Sequence, residues 1–351
     1  MKALRGAAAT CVVVALTWMS ACAPTPTTDA AAAARTGAGA WLAQQFDATT
    51  GVIPSPYVPG TNDLGSTATA ITSLRIAGTG GNVAAAAVTA LSLRVDEYVV
   101  DGSGNDQPGP LARLILAVRS TGGDPRSFGG TDLVARLEAT LLTSGSDAGR
   151  FGVQDATYDG AFRQGLALAA LSVVVPRPAV VDPGTGSVDD LPAVAWLQAQ
   201  QCSDGCWMPY RADLTAPCAF DPVTFASPDT NSTAMAVLGL RSLGATAPAD
   251  FSAWLTSVRN ADGGWSFDGG AGSPTDPDST GLVVAARRAT GTLPDTAAVS
   301  ALIGFQLGSS YPAAEQGAFY YPYGTPSPSL LATNDAVLGL APGVWPAVAV
   351  G

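Results

Sequence analysis

Apolar residues recur along the chain in short runs with helical spacing, and the runs come in pairs. Phe251 to Arg259 (FSAWLTSVR) places Trp254 and Leu255 on one face and stops at NADGGW, where Asn and Gly end a helix and Trp265 folds back. Asp278, Ser279 and Thr280 then offer an N-cap ahead of the apolar run GLVVAARRA, which Gly291 closes. The same paragraph recurs. AWLQAQQCSDGCW leads through a Pro/Asp loop to PDTNSTAMAVLGLRSLG, and AWLAQQFDATTG leads to NDLGSTATAITSLRIAG. IGFQLGSS, GAFYYPYG and TNDAVLGLAPG form a further copy, and two weaker copies fill Val83 to Gly122 and Leu133 to Val175. Six helix pairs are therefore predicted.

One such pair cannot bury its own apolar face, whereas stacked neighbours share one. Six pairs close into a ring when one helix of each lines the inside. The second helices suit that place, being rich in Ala, Gly, Ser and Thr. The expected fold is all-α: six helical hairpins closed into an α/α barrel, with long Gly/Pro/Asp loops at one end. An open solenoid is the alternative.

Composition narrows the chemistry. The chain of 351 residues has a net charge of −11, no histidine and a single lysine, Lys2. Without a basic footprint, nucleic acid is not an expected partner. Without histidine there is no Ser–His or Cys–His pair, and Schiff-base and P-loop chemistry lack their lysine.

Met1 to Cys22 reads as an export leader. Lys2 and Arg5 precede the apolar stretch Ala7 to Met19, which is short for a membrane span. Met19-Ser20-Ala21-Cys22 resembles a bacterial lipobox, with lipid expected on Cys22. The domain reading is a signal peptide over 1–21, a flexible tether over 22–37 and the barrel over 38–351. The protein is then expected at the outer face of the cytoplasmic membrane. Cys202, Cys206 and Cys218 remain, all in one loop. Export permits a disulfide, and Cys202–Cys218 would clip that loop. Zinc would need a fourth ligand beside three cysteines, so no metal is expected.

At this point a family resemblance appears. Trp196-Leu197, Gln201, Gly205 and Trp207 match the QW motif of squalene–hopene cyclases, as do Trp254-Leu255, Gly263 and Trp265, with Arg259 in place of Gln. Ile53, Phe151 and Phe319 stand where Trp would be. From about Gly37 to Pro346 the chain resembles the α/α-toroid superfamily: terpene cyclases, prenyltransferase β subunits, transcobalamin and intrinsic factor. More narrowly, it is similar to lipoproteins with prenyltransferase/squalene-oxidase repeats.

Two functions follow as expectations. Resemblance to the cobalamin carriers implies a lipid-anchored binding protein for a bulky, partly apolar ligand such as a corrinoid, working with an uptake transporter or a separate lid protein. The rim aromatics Tyr57, Tyr158, Tyr210, Phe267, Tyr320, Tyr321 and Tyr323 would contact it. Asp63, Asp159, Asp229, Asn231, Asp276, Asp278 and Asn334 would accept its hydrogen bonds, several of them serving first as N-caps. Resemblance to the hopene-type cyclases implies instead an enzyme acting on a polyprenyl substrate. Asp276-Pro277-Asp278 lies where their acidic motif falls, and Asp278 is the general acid. Incomplete acidic motifs and the missing zinc triad tilt the balance away from catalysis. A carboxylate-only glycosidase is a further alternative.

Overall fold

A computed structural model describes residues 26–269, 272–292 and 295–350. The leader expected over 1–21 and the lipidation site Cys22 lie outside the described residues. In chain order the helices pair as α1 (Pro26–Ala43) with α2 (Leu64–Ala77), and α3 (Gly81–Ser92) and the short α4 (Val95–Val99) with α5 (Pro108–Ser120). Next come α6 (Leu133–Ala139) with α7 (Gly160–Ser172), and α8 (Pro192–Ala199) with α9 (Thr230–Leu243). Then follow α10 (Phe251–Ser257) with α11 (Pro277–Ala289), α12 (Thr296–Ile303) with α13 (Leu330–Gly339), and the terminal turn α14 (Ala347–Val350).

The second helix of each pair is an inner helix. Packing runs α2–α5–α7–α9–α11–α13 and returns from α13 to α2, so the ring is closed and the open solenoid is excluded. The outer ring closes as well, α1 packing on α12 and α13. Arg35 donates to the Leu340 carbonyl across this seam (2.8 Å). Helix α1 begins at Pro26 and buries Ala34 and Ala38, so the helix packs on the barrel from Ala31 on, within the stretch expected as tether. Among the described residues no helix is long and apolar enough to cross a membrane.

Each QW segment joins one repeat to the next. Trp207 and Trp265 are fully buried, and each indole donates back to its own outer helix, at Leu197 O (2.8 Å) and Leu255 O (2.7 Å). Their backbone N–H groups donate to a threonine on the following inner helix, Thr233 and Thr280. Ile53 and Phe319 repeat this contact with Thr67 and Thr333, and Phe151 makes it with Gln164. The apolar substitutes thus keep the backbone geometry while losing the indole bond.

Gln201 bridges Gly205 O (2.8 Å) and Ala249 O (3.0 Å), tying its turn to the start of the next repeat. Arg259 fills that role by donating to Gly263 O and pairing with Asp295, the cap of α12, while its guanidinium stacks 5.0 Å above Trp265. Gln306 closes the circle, donating to Gly317 O (2.9 Å) and to Ala34 O (2.7 Å) of the first helix. Gly317 needs its positive φ of 94°, and a Cβ there would collide with the Gly37 carbonyl. The disulfide joins Cys202 and Cys218, with Cα atoms 5.8 Å apart, and Cys206 is a free, buried thiol.

Candidate active site

The inner helices start at one end of the ring, and their first turns gather acidic side chains there. Asp276 sits just before α11 and caps it, accepting from Ser279 N (2.8 Å) and the Ser279 hydroxyl (2.9 Å). Asp278 therefore does not cap its helix, which corrects the sequence expectation. It lies in the first turn, where Asn231 donates to its Oδ2 (3.0 Å). Asn231 is likewise no cap: Asp229 holds that place on α9, accepting from Ser232 N. Asp63 caps α2 through Ser66 N. Asp159 precedes α7 without accepting its N–H groups and pairs with Arg163 (3.3 Å). Asn334 lies within α13, which Ser329 caps.

Asp278 faces Asp335 of α13, and the two carboxyl groups share a hydrogen bond. Burial, then the charge of Asp278, raises the Asp335 pKa well above the ordinary carboxylate value, with Arg113 opposing. The Asp335 carboxyl therefore holds its proton more firmly than an ordinary carboxyl does. Burial also lifts Asp229 to about 7 and Asp276 to about 6 against their cap bonds. Tyr321 closes over this group. Its phenol is pushed up by burial and by the charges of Asp278, Asp335 and Asp276, and it stacks on Tyr323 with centroids 6.3 Å apart.

Below the pair lies a central cavity of about 110 Å³. Asp335 keeps a little accessible surface and lines this cavity, together with Arg113, Asn334, Phe162, Leu338 and Trp345. Asn334 donates to Leu330 O (2.9 Å), while its Oδ1 is buried without a partner and offers an acceptor. Arg113 is the one cation of the lining and makes no ion pair within 4.0 Å among the described residues. A volume on this scale admits one ring or one branched hydrocarbon unit. It does not admit a corrinoid macrocycle, because Phe162, Leu116, Leu338 and Trp345 fill the centre.

Of the expected site residues, the structure brings together Asn231, Asp276, Asp278, Tyr321, Tyr323 and Asn334. Others lie elsewhere. Tyr57 is 88% exposed beside Asp63 in a surface cleft, and Tyr158 is 70% exposed. Tyr210 stacks on Trp196 and donates to Asp147 on the outside of the barrel. Tyr320 packs edge-on against Phe305. Phe267 is half-exposed, but its backbone lies against Asp276, beside the acidic group, and its carbonyl accepts from Thr230 N. Their physical reason is the same: alternate residues of an irregular loop face opposite ways, and sequence does not say which face meets the ring. Asp335, Arg113 and Trp345 are functional candidates that sequence reading missed. Asp335 lies too deep in α13 to cap it.

These features define the fold class as an α/α toroid, and known structures share it. The chain superposes on a type II terpene cyclase variant from Scytonema in complex with geranylgeranyl dihydroxybenzoate, with TM-score 0.54 and 15% identity, covering 91% of this chain and 98% of that one. It superposes equally on the unsaturated glucuronyl hydrolase of Bacillus sp. GL1, with TM-score 0.55 and 13% identity, covering 89% and 96%. No protein-family model matches the chain, and no curated protein matches it in sequence. At such identities the likeness speaks for the fold alone.

Proposed function

We propose that the protein is a toroid enzyme that protonates a carbon–carbon double bond at the end of a polyprenyl-type substrate. Asp335 is the general acid and Asp278 the carboxylate that holds its proton in place. The observation that carries this reading is the release of Asp278 from capping: Asp276 does that work, and Asp278 is turned onto Asp335 by Asn231. A carboxyl kept neutral by burial has a proton to give, and a cavity that excludes water keeps competing bases away from the cation it forms. As the O–H bond of Asp335 breaks and a C–H bond forms, positive charge develops on carbon. Phe162 and Trp345, in the cavity wall, offer aromatic faces to it. The cation is quenched when a neighbouring C–H bond breaks and its proton passes to water, and Asp335 regains a proton from solvent.

Two other readings lose support. Glycoside hydrolysis by a carboxylate pair needs about 5 Å or more between the groups, whereas Asp278 and Asp335 are in hydrogen-bond contact. The central cavity is too small for a corrinoid. The expected lipid on Cys22 accords with a substrate dissolved in the membrane; if it is present, Cys22→Ala moves the protein to the soluble fraction.

The test is incubation with squalene and with linear polyprenyl alcohols and diphosphates in deuterated water. The expected product carries one non-exchangeable deuterium on carbon, and Asp335→Asn abolishes it. Asp278→Asn lowers turnover by at least ~10²-fold. Products that carry no deuterium, or an Asp335→Asn variant with full activity, contradict the reading.

A further inference from the structure

The loop of the fourth repeat contains a thiol with no evident role. Cys202 N donates to Cys206 O (2.9 Å), and Gly205 N donates to Cys202 O (3.0 Å), so residues 202–206 form a tight turn. That turn brings the Sγ atoms of Cys202 and Cys206 and a carboxylate oxygen of Asp204 within 4.8 Å of one another. Cys218 Sγ is bonded to Cys202 Sγ and so stands at the same point. The Cys206 thiol donates to Asp204 Oδ1 (3.1 Å). Met208, Ala226 and Trp254 cover the sulfurs. Three cysteines alone fall one ligand short of a tetrahedral site. Asp204 is the fourth donor, and only the folded turn places it there.

We propose that, once a dithiol opens Cys202–Cys218, the side chains of Cys202, Asp204, Cys206 and Cys218 form a binding site for a thiophilic divalent cation such as zinc. The dithiol supplies two electrons and two protons and becomes a disulfide, leaving Cys202 and Cys218 as thiols. The cation then displaces the three thiol protons to solvent and takes the Asp204 carboxylate as its fourth ligand. Zinc–sulfur bonds of about 2.3 Å give a tetrahedron with edges roughly 4 Å long, which the clustered atoms reach by side-chain rotation. Disulfide and cation are thus alternative clasps for one loop, chosen by the local redox state.

The experiment uses the purified full chain, reduced with a dithiol, freed of it anaerobically, and titrated with Co²⁺. The expected result is a single equivalent bound, with thiolate-to-cobalt charge-transfer absorption that Zn²⁺ displaces. The oxidised chain shows no such absorption. Cys206→Ser and Asp204→Ala, which leave the disulfide intact before reduction, each weaken binding at least ~10-fold. Should reduction unfold the chain, recovery of helical circular dichroism on adding Zn²⁺ supports the site. Absence of both charge transfer and recovery overturns it, as does unchanged affinity in the two variants.

Discussion

Asp276 and Asp278 stand two residues apart and do unrelated work. Asp276 satisfies the open N–H groups of α11, whereas Asp278 faces Asp335 on the neighbouring inner helix α13. Asp229 repeats the capping role on α9, deeply buried, with Oδ2 unpartnered. Asp229 and Asp276 hold a proton more tightly folded than unfolded, since burial raises them to about 7 and about 6. Their stabilising effect is complete below the unfolded value near 4 and is lost as pH rises through the folded values. Asp229→Asn keeps a capping oxygen and removes the buried charge. It is expected to flatten the stability profile between about pH 4 and pH 7 and to raise the melting temperature at about pH 8 by ~2 °C or more. Thermal melts of both proteins across that range check this. The repetition of Asp and Asn near helix starts was legible in the sequence; the division of labour was not. Capping depends on one residue of register, and the pattern PTDPDST offers two candidates.

At the scale of the element, the turns between paired helices carry the closure of the ring. Trp207 and Trp265 were readable because their spacing from Gln201 and Arg259 is fixed by the turn they fold into. Gln164 was hidden, since it serves the same kind of bridge from an inner helix, donating to Gly149 O and Ala193 O. Gln306 is the sharpest test of closure, because its amide reaches the first helix. Gln306→Ala is expected to cost about 1–3 kcal/mol, through the Gly317 and Ala34 carbonyls left unpaired. Chemical denaturation measures it, with amide exchange speeding first in α1. Gly281 marks the tightest inner crossing, where a Cβ would meet the Asp335 carbonyl. Alanine is ordinarily the better helix former. Gly281→Ala is nonetheless expected to destabilise by about 1–3 kcal/mol, since overpacking between α11 and α13 wins. Denaturant midpoints decide between the two signs.

The whole molecule is a closed ring because six similar pairs leave no apolar edge uncovered, and that much follows from the repeats. What fills the centre does not follow. The cavity is small because Leu116, Phe162, Leu338 and Trp345 come from four separate parts of the chain and meet only after closure. Closure also sets Asp335 beside Asp278, and the proposed function depends on the proton that the Asp335 carboxyl keeps. Infrared difference spectroscopy of the carboxylic acid C=O stretch, wild type against Asp335→Asn at about pH 8, reads that proton directly. The account predicts a protonated carboxyl absorption in the wild type that the variant lacks. A wild-type spectrum with only ionised carboxylates, or a band that survives in Asp335→Asn, would contradict it.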